Sequence, residues 1–74
     1  MIVRIEHLRT ITGFGPRPGL CASGSRAWFA RHQLDWSDFV RNGIASERLE
    51  ATGDGLALAL VKHARQQEEA EHGR

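Results

Sequence analysis

Apolar residues along this chain recur mostly every three or four positions, the spacing of helices with one buried face. Ile5, Leu8 and Ile11 stand at i, i+3 and i+6 and predict a short amphipathic helix over Ile5 to Ile11. The segment Ile2 to His7 does not alternate cleanly enough to predict a strand. A second helix is expected from Ser23 to about His32, capped by Ser23 or Ser25, with Trp28 and Phe29 turned inward near Ala22. Trp36, Phe39 and Val40 repeat at i, i+3 and i+4 and predict a third helix capped by Asp35, with Asp38 near its positive end. Asn42 and Gly43 would close that helix, Gly43 in the left-handed position that follows many helix ends. Ser46 is placed to cap a short helix over Glu47 to Ala51 that turns Leu49 inward and ends at Gly53. Asp54 should cap the longest helix, about Gly55 to Glu69, with Leu56, Ala57, Leu60, Val61 and Ala64 on its buried face. Leu58 and Ala59 extend the apolar surface around its first turns, which predicts a central helix.

Between the first two helices runs Thr12 to Gly19, TGFGPRPG. Pro16 and Pro18 lack amide donors, and the interspersed glycines tolerate positive φ, so regular structure stops there. Phe14 is expected to fold back over the core as a plug. The reading is an all-α, compact single domain of four or five short helices with a Gly/Pro-rich loop near the N-terminus. Residues 1–74 form that one domain, and residues 68–74 make a frayed polar tail.

Size and composition narrow the picture. A chain of 74 residues allows one domain and buries only roughly 60% of its unfolded surface. Hydrophobic residues at 41% and charged residues at 26% are globular usage, not the signature of disorder. The net charge of +1 hides an asymmetry: six Arg face three acids from Met1 to Arg41, a net of +3, and the remainder carries −2. The single cysteine excludes an internal disulfide and hence a cystine-stapled secreted miniprotein. MIVRIEHL does not read as a signal peptide, and Leu56 to Val61 is too short to cross a bilayer. A cytoplasmic protein is expected.

No residue set carries an obvious reaction. Cys21 lies in LCAS, away from any cysteine-protease context, and reads as a small hydrophobe. His7, His32, His63 and His72 are not at zinc-binding spacing. Glu47, Glu50 and Asp54 share a face at three- and four-residue intervals, which suits a solvated, cap-forming edge better than acid–base work. Ser23 and Ser25 lack the GxSxG setting of a nucleophile. Gly13, Gly15 and Gly19 fit neither GxGxxG nor the P-loop pattern, and two prolines remove amides a phosphate would use. No catalytic residue, cofactor or metal ligand is assigned.

Two short segments bear on nucleic acid. Leu8 to Pro16, LRTITGFGP, resembles the hairpin of helix-hairpin-helix domains, although PRPG delays the helix that should follow Gly15. Ala51, Gly55, Leu56 and Val61 take spacings like those of helix-turn-helix motifs, but Glu50 and Asp54 fall on apolar positions of that motif. The would-be recognition helix opens LALAL, a sequence built for burial rather than for reading base edges. A nucleic-acid-binding regulator is therefore the alternative reading, with Arg4, Arg9, Arg17, Arg26 and Arg31 as its contacts.

The segments GFGPRPGLC, RHQLDWSDFVRNGI and LEATGDGLALALVKHA give Leu8 to Ala64 a resemblance to small uncharacterised proteins encoded by phages and prophages. The resemblance implies a phage or prophage origin and assigns no activity. The leading expectation is a small non-catalytic interaction protein, not an enzyme, in phage assembly or host contact. It would act in the bacterial cytoplasm on an unidentified protein partner. A homodimer is plausible, since self-association can complete a small core.

Overall fold

A computed structural model describes residues 1–72. In chain order the elements are β1 (Ile2–Val3), α1 (Ile5–Thr10), α2 (Ala22–Arg31), α3 (Trp36–Asn42), β2 (Ile44–Ala45), α4 (Ser46–Glu50) and α5 (Gly55–His72). The domain is mostly helical, with five helices, and the expected all-α class needs one correction. Ile2 pairs with Ala45 and Val3 with Ile44 in a two-stranded antiparallel sheet. The Ser46 amide extends the contact by donating to the Met1 carbonyl at 3.0 Å. Strands of two residues are too short for alternation to show in sequence. Their pairing joins segments some forty positions apart in the chain.

The core is assembled across nearly every element. Val3, Leu8, Phe29, Phe39, Leu49, Leu60, Val61 and Ala64 are all buried, and α5 packs against α1, α4 and β1. The buried face of α5 is Ala57, Leu60, Val61 and Ala64, as expected, with Leu56 half-buried. Phe29 meets Trp36 edge-on at 5.2 Å between ring centres and Phe39 at 4.9 Å, which ties α2 to α3. Trp28 is buried too, and its indole N–H finds no acceptor among the described residues. Such an orphan donor costs about 1–3 kcal/mol.

The helix starts divide into two kinds. Asp35 and Asp54 cap as expected: the Asp38 amide donates to Asp35 at 3.0 Å, and the Leu56 and Ala57 amides donate to Asp54 at 2.9 and 3.3 Å. The serine caps do not form. Cys21 occupies the start of α2 and Ala45 that of α4, and neither side chain bonds a helix amide. Ser25 lies buried inside α2. Ser46 is fully buried within α4 and donates its hydroxyl to Glu47 Oε1 at 3.2 Å.

The helix ends show a similar division. Gly43 has positive φ, +79°, but ψ of −176°, an extended form open essentially to glycine rather than the left-handed helical form expected. A Cβ there would meet Ile2 Cγ2 at 2.5 Å and the Val3 carbonyl at 2.8 Å. The end of α2 is closed by Gln33 at φ +57°, with Gln33 and Leu34 amides returning to the Ala30 and Phe29 carbonyls. That is a Schellman turn without glycine. α5 runs through the polar stretch to His72, and residues 73–74, the end of the tail expected to fray, lie outside the described residues. Among the described residues no helix is long and apolar enough to cross a membrane.

Candidate interaction surface

The reactive side chains are occupied separately. Cys21 is exposed, and its thiol is held below the ordinary range by the Ser23 hydroxyl at 3.1 Å, then by the field of the nearby Gly24 and Ser23 amides, neither of which caps onto it. Arg26 adds to that lowering, burial opposes it, and no imidazole takes part. This is the chemistry of a helix N-terminus, where free amides favour negative charge.

The three carboxylates of the predicted acidic edge each have their own partner. Glu47 pairs with the Met1 ammonium at 3.6 Å, Glu50 pairs with Arg65 at 3.1 Å, and Asp54 caps α5. The Glu47 carboxyl is lowered first by its own backbone amide, then by the Met1 ammonium and the Ser46 hydroxyl. Among the described residues no three of His, Cys, Asp and Glu gather as a metal-holding group.

Two histidines sit at the α1–α5 seam. His7 Nδ1 accepts the Arg4 amide at 2.9 Å at the start of α1. His63 Nε2 shares a 2.8 Å hydrogen bond with the Thr10 hydroxyl, which itself reaches the Glu6 carbonyl at 3.0 Å. With that hydroxyl donating to the carbonyl, the imidazole N–H donates to Thr10. Burial, and then the nearby His7, push the His63 pKa below its usual value.

The five arginines of the alternative reading are all exposed. They are spread over the Arg4 entry to α1, Arg9 on α1, Arg17 in the loop, and Arg26 and Arg31 on α2. Arg26 and Arg31 are five residues apart, about 140° around the helix, so they do not share a face. Arg4 Nη1 donates to the Asn42 carbonyl at 3.5 Å. The ion pairs among the described residues are Met1–Glu47 and Arg65–Glu50, so none of the five arginines has a carboxylate partner.

The helix-hairpin-helix resemblance gains little. Gly13 and Gly15 have positive φ, yet α2 begins only at Ala22. The helix-turn-helix reading meets an α4 of only five residues, although Val61, one of its apolar positions, is buried.

What the fold leaves open is the outer face of α5. Phe14 does not plug the core; it is 49% exposed, because the loop is fastened only at its base. There the Gly19 amide donates to the Ile11 carbonyl at 2.6 Å and the Leu20 amide to that of Leu8 at 3.1 Å. Leu58 is 46% exposed. Lys62 and Gln66 form a ridge between two shallow grooves. One, about 260 Å³, runs along Phe14, Ala59 and His63, and the other, about 290 Å³, along Leu58, Arg65 and Glu50. Leu58, expected with Ala59 to make the first turns of α5 apolar all round and the helix central, instead faces outward, because Ala57, Leu60, Val61 and Ala64 complete the buried stripe without it. The position of Phe14 was not legible either, since no periodicity operates in a Gly/Pro loop.

No protein-family model, curated protein or solved structure matches this chain. The likeness to phage and prophage proteins therefore gains nothing from these comparisons.

Proposed function

We propose that this chain is a small non-catalytic protein-interaction protein that docks a protein partner on the outer face of α5. The observation that carries the reading is the pair Phe14 and Leu58, each about half exposed, flanking the Lys62–Gln66 ridge. Covering the open half of each gains about 1 kcal/mol apiece, the contribution expected of apolar anchors at an interface. The phage or prophage origin, and with it a role in assembly or host contact in the bacterial cytoplasm, is proposed on the resemblance in Leu8 to Ala64.

The test is affinity capture from the native host with the tagged chain and a Phe14→Ser/Leu58→Ser double variant. A protein retained by the native chain and lost by the equally folded variant supports the reading. Equal retention by both overturns it. A second copy can cover the same face, and light scattering decides: a monomer at high concentration removes the homodimer.

One observation favours a second reading. Arg4, Arg9, Arg17, Arg26 and Arg31 are exposed and have no carboxylate partner among the described residues, which leaves their charge available to phosphates. Duplex binding that weakens steeply with salt would support a nucleic-acid-binding regulator. No shift of labelled DNA at low salt eliminates it.

A further inference from the structure

A third groove, about 210 Å³, lies between the first turns of α2 and the start of α5 and shares no lining residue with the two beside the Lys62–Gln66 ridge. Leu20, Trp28 and Leu56 give it an apolar body. Its polar groups include two free donors: among the described residues the buried Trp28 indole N–H has no acceptor, and Arg31 has no carboxylate partner. Arg26 adds positive charge near Cys21, and no acidic residue lines the groove. The electrostatics thus call for an occupant that is apolar at its centre and rich in acceptors or negative charge at its edge.

Volume limits what that occupant is. Small-molecule sites usually begin near about 300 Å³, which exceeds this groove. About 150 Å³ suffices for a benzene ring, so one large side chain is accommodated. We infer that the groove beside Cys21 docks an acidic segment of a partner protein, which inserts one aliphatic or aromatic side chain against Leu20, Trp28 and Leu56. Its flanking carboxylates meet Arg31, and one of its carbonyl oxygens, after a small shift of the ring, supplies the acceptor that the Trp28 indole N–H lacks. The site is independent of the α5 outer face.

The test uses the full ¹⁵N-labelled chain and three blocked tripeptides: leucine flanked by glutamates, leucine flanked by lysines, and serine flanked by glutamates. Saturable shifts of the Cys21 to Ser25 amides, the Leu56 amide and the Trp28 indole N–H are expected with the first peptide. Binding should be at least tenfold weaker with the other two and with the Arg31→Glu variant. N-ethylmaleimide on Cys21 should block the site, whereas Cys21→Ser should leave binding unchanged. The Phe14→Ser/Leu58→Ser variant should bind the first peptide like the native chain, so that failure on α5 and failure here are distinguishable. Absence of saturable shifts at millimolar peptide, equal binding of the lysine-flanked peptide, or undiminished binding by the alkylated protein would each overturn the assignment.

Discussion

Two glycine-containing connectors in this molecule do opposite things. Thr12 to Gly19 is fastened by two backbone hydrogen bonds at its base, and its residues from Thr12 to Pro18 are exposed. Gly43 to Asp54 is knit throughout. Ile44 pairs with β1, Ser46 and Leu49 are fully buried, the Thr52 hydroxyl donates to the Leu49 carbonyl at 2.7 Å, and Asp54 caps α5. The first is the richer in glycine, with Gly13, Gly15 and Gly19 against Gly43 and Gly53, but glycine by itself does not place a connector at the surface. The difference is the apolar residues at helical spacing in the second, which the core can take in, against a lone Phe14 held between glycines in the first. A connector with nothing to bury stays at the surface and is free to serve a partner.

The largest test of this contrast is a pair of truncations. Leu49→Ala should cost about 2–5 kcal/mol, since Leu49 is fully buried, and Phe14→Ala should stay within about 0.5 kcal/mol. A domain of this size has roughly 4–11 kcal/mol in total, so urea midpoints will separate the two clearly. Equal losses would mean that Phe14 is a core residue after all.

Glycine substitutions come next. Gly43→Ala should cost about 3 kcal/mol, from a glycine-only backbone and a Cβ pressed against Ile2 and the Val3 carbonyl. Gly13→Ala also has positive φ but meets nothing within 4 Å, so a cost of about 1 kcal/mol is expected. Thermal midpoints give the comparison, and a Gly13 effect as large as that of Gly43 would break it.

Cap removal is smaller. Asp54→Ala should lose about 0.5–2 kcal/mol and Asp54→Asn much less, whereas Thr12→Ala in the first connector should change little.

The smallest effect is on pH. The His63 pKa is lowered in the fold, so its contribution is complete above the unfolded value of 6.5 and is lost as pH falls through the folded value. His63→Gln should flatten the denaturation midpoint across that window. Glu47, also lowered, adds a separate decline below its ordinary 4.5, which His63→Gln should leave in place.

The helices were legible because their signals are local. Asp35 and Asp54 announce α3 and α5, and the stripe from Ala57 to Ala64 gives the inward face of α5, through periodicity that needs no knowledge of the partner. Gln33 shows where local signals stop: no sequence rule marks it as a helix-closing residue, and packing of α2 on α3 holds it at positive φ. Cys21 and Ala45 likewise begin helices with no side-chain cap. Of the candidate surface, the outward Leu58 was not legible: LALAL predicted an apolar surface all round the first turns of α5, and packing on the Ala57, Leu60, Val61 and Ala64 side alone left it open. Nor were the grooves, since those beside Phe14 and Cys21 join segments far apart in the chain and the third joins α4 to α5.

By itself, then, the order of side chains determined one small helical unit, its main core residues and its two aspartate caps, since each depends on neighbours within about a turn. Tertiary structure alone decided the Ile2–Ala45 pairing, the exposure of Phe14, and the donor-lined groove beside Cys21. Those features arise where backbone groups and surfaces from distant segments meet, and no spacing within a single segment encodes such a meeting.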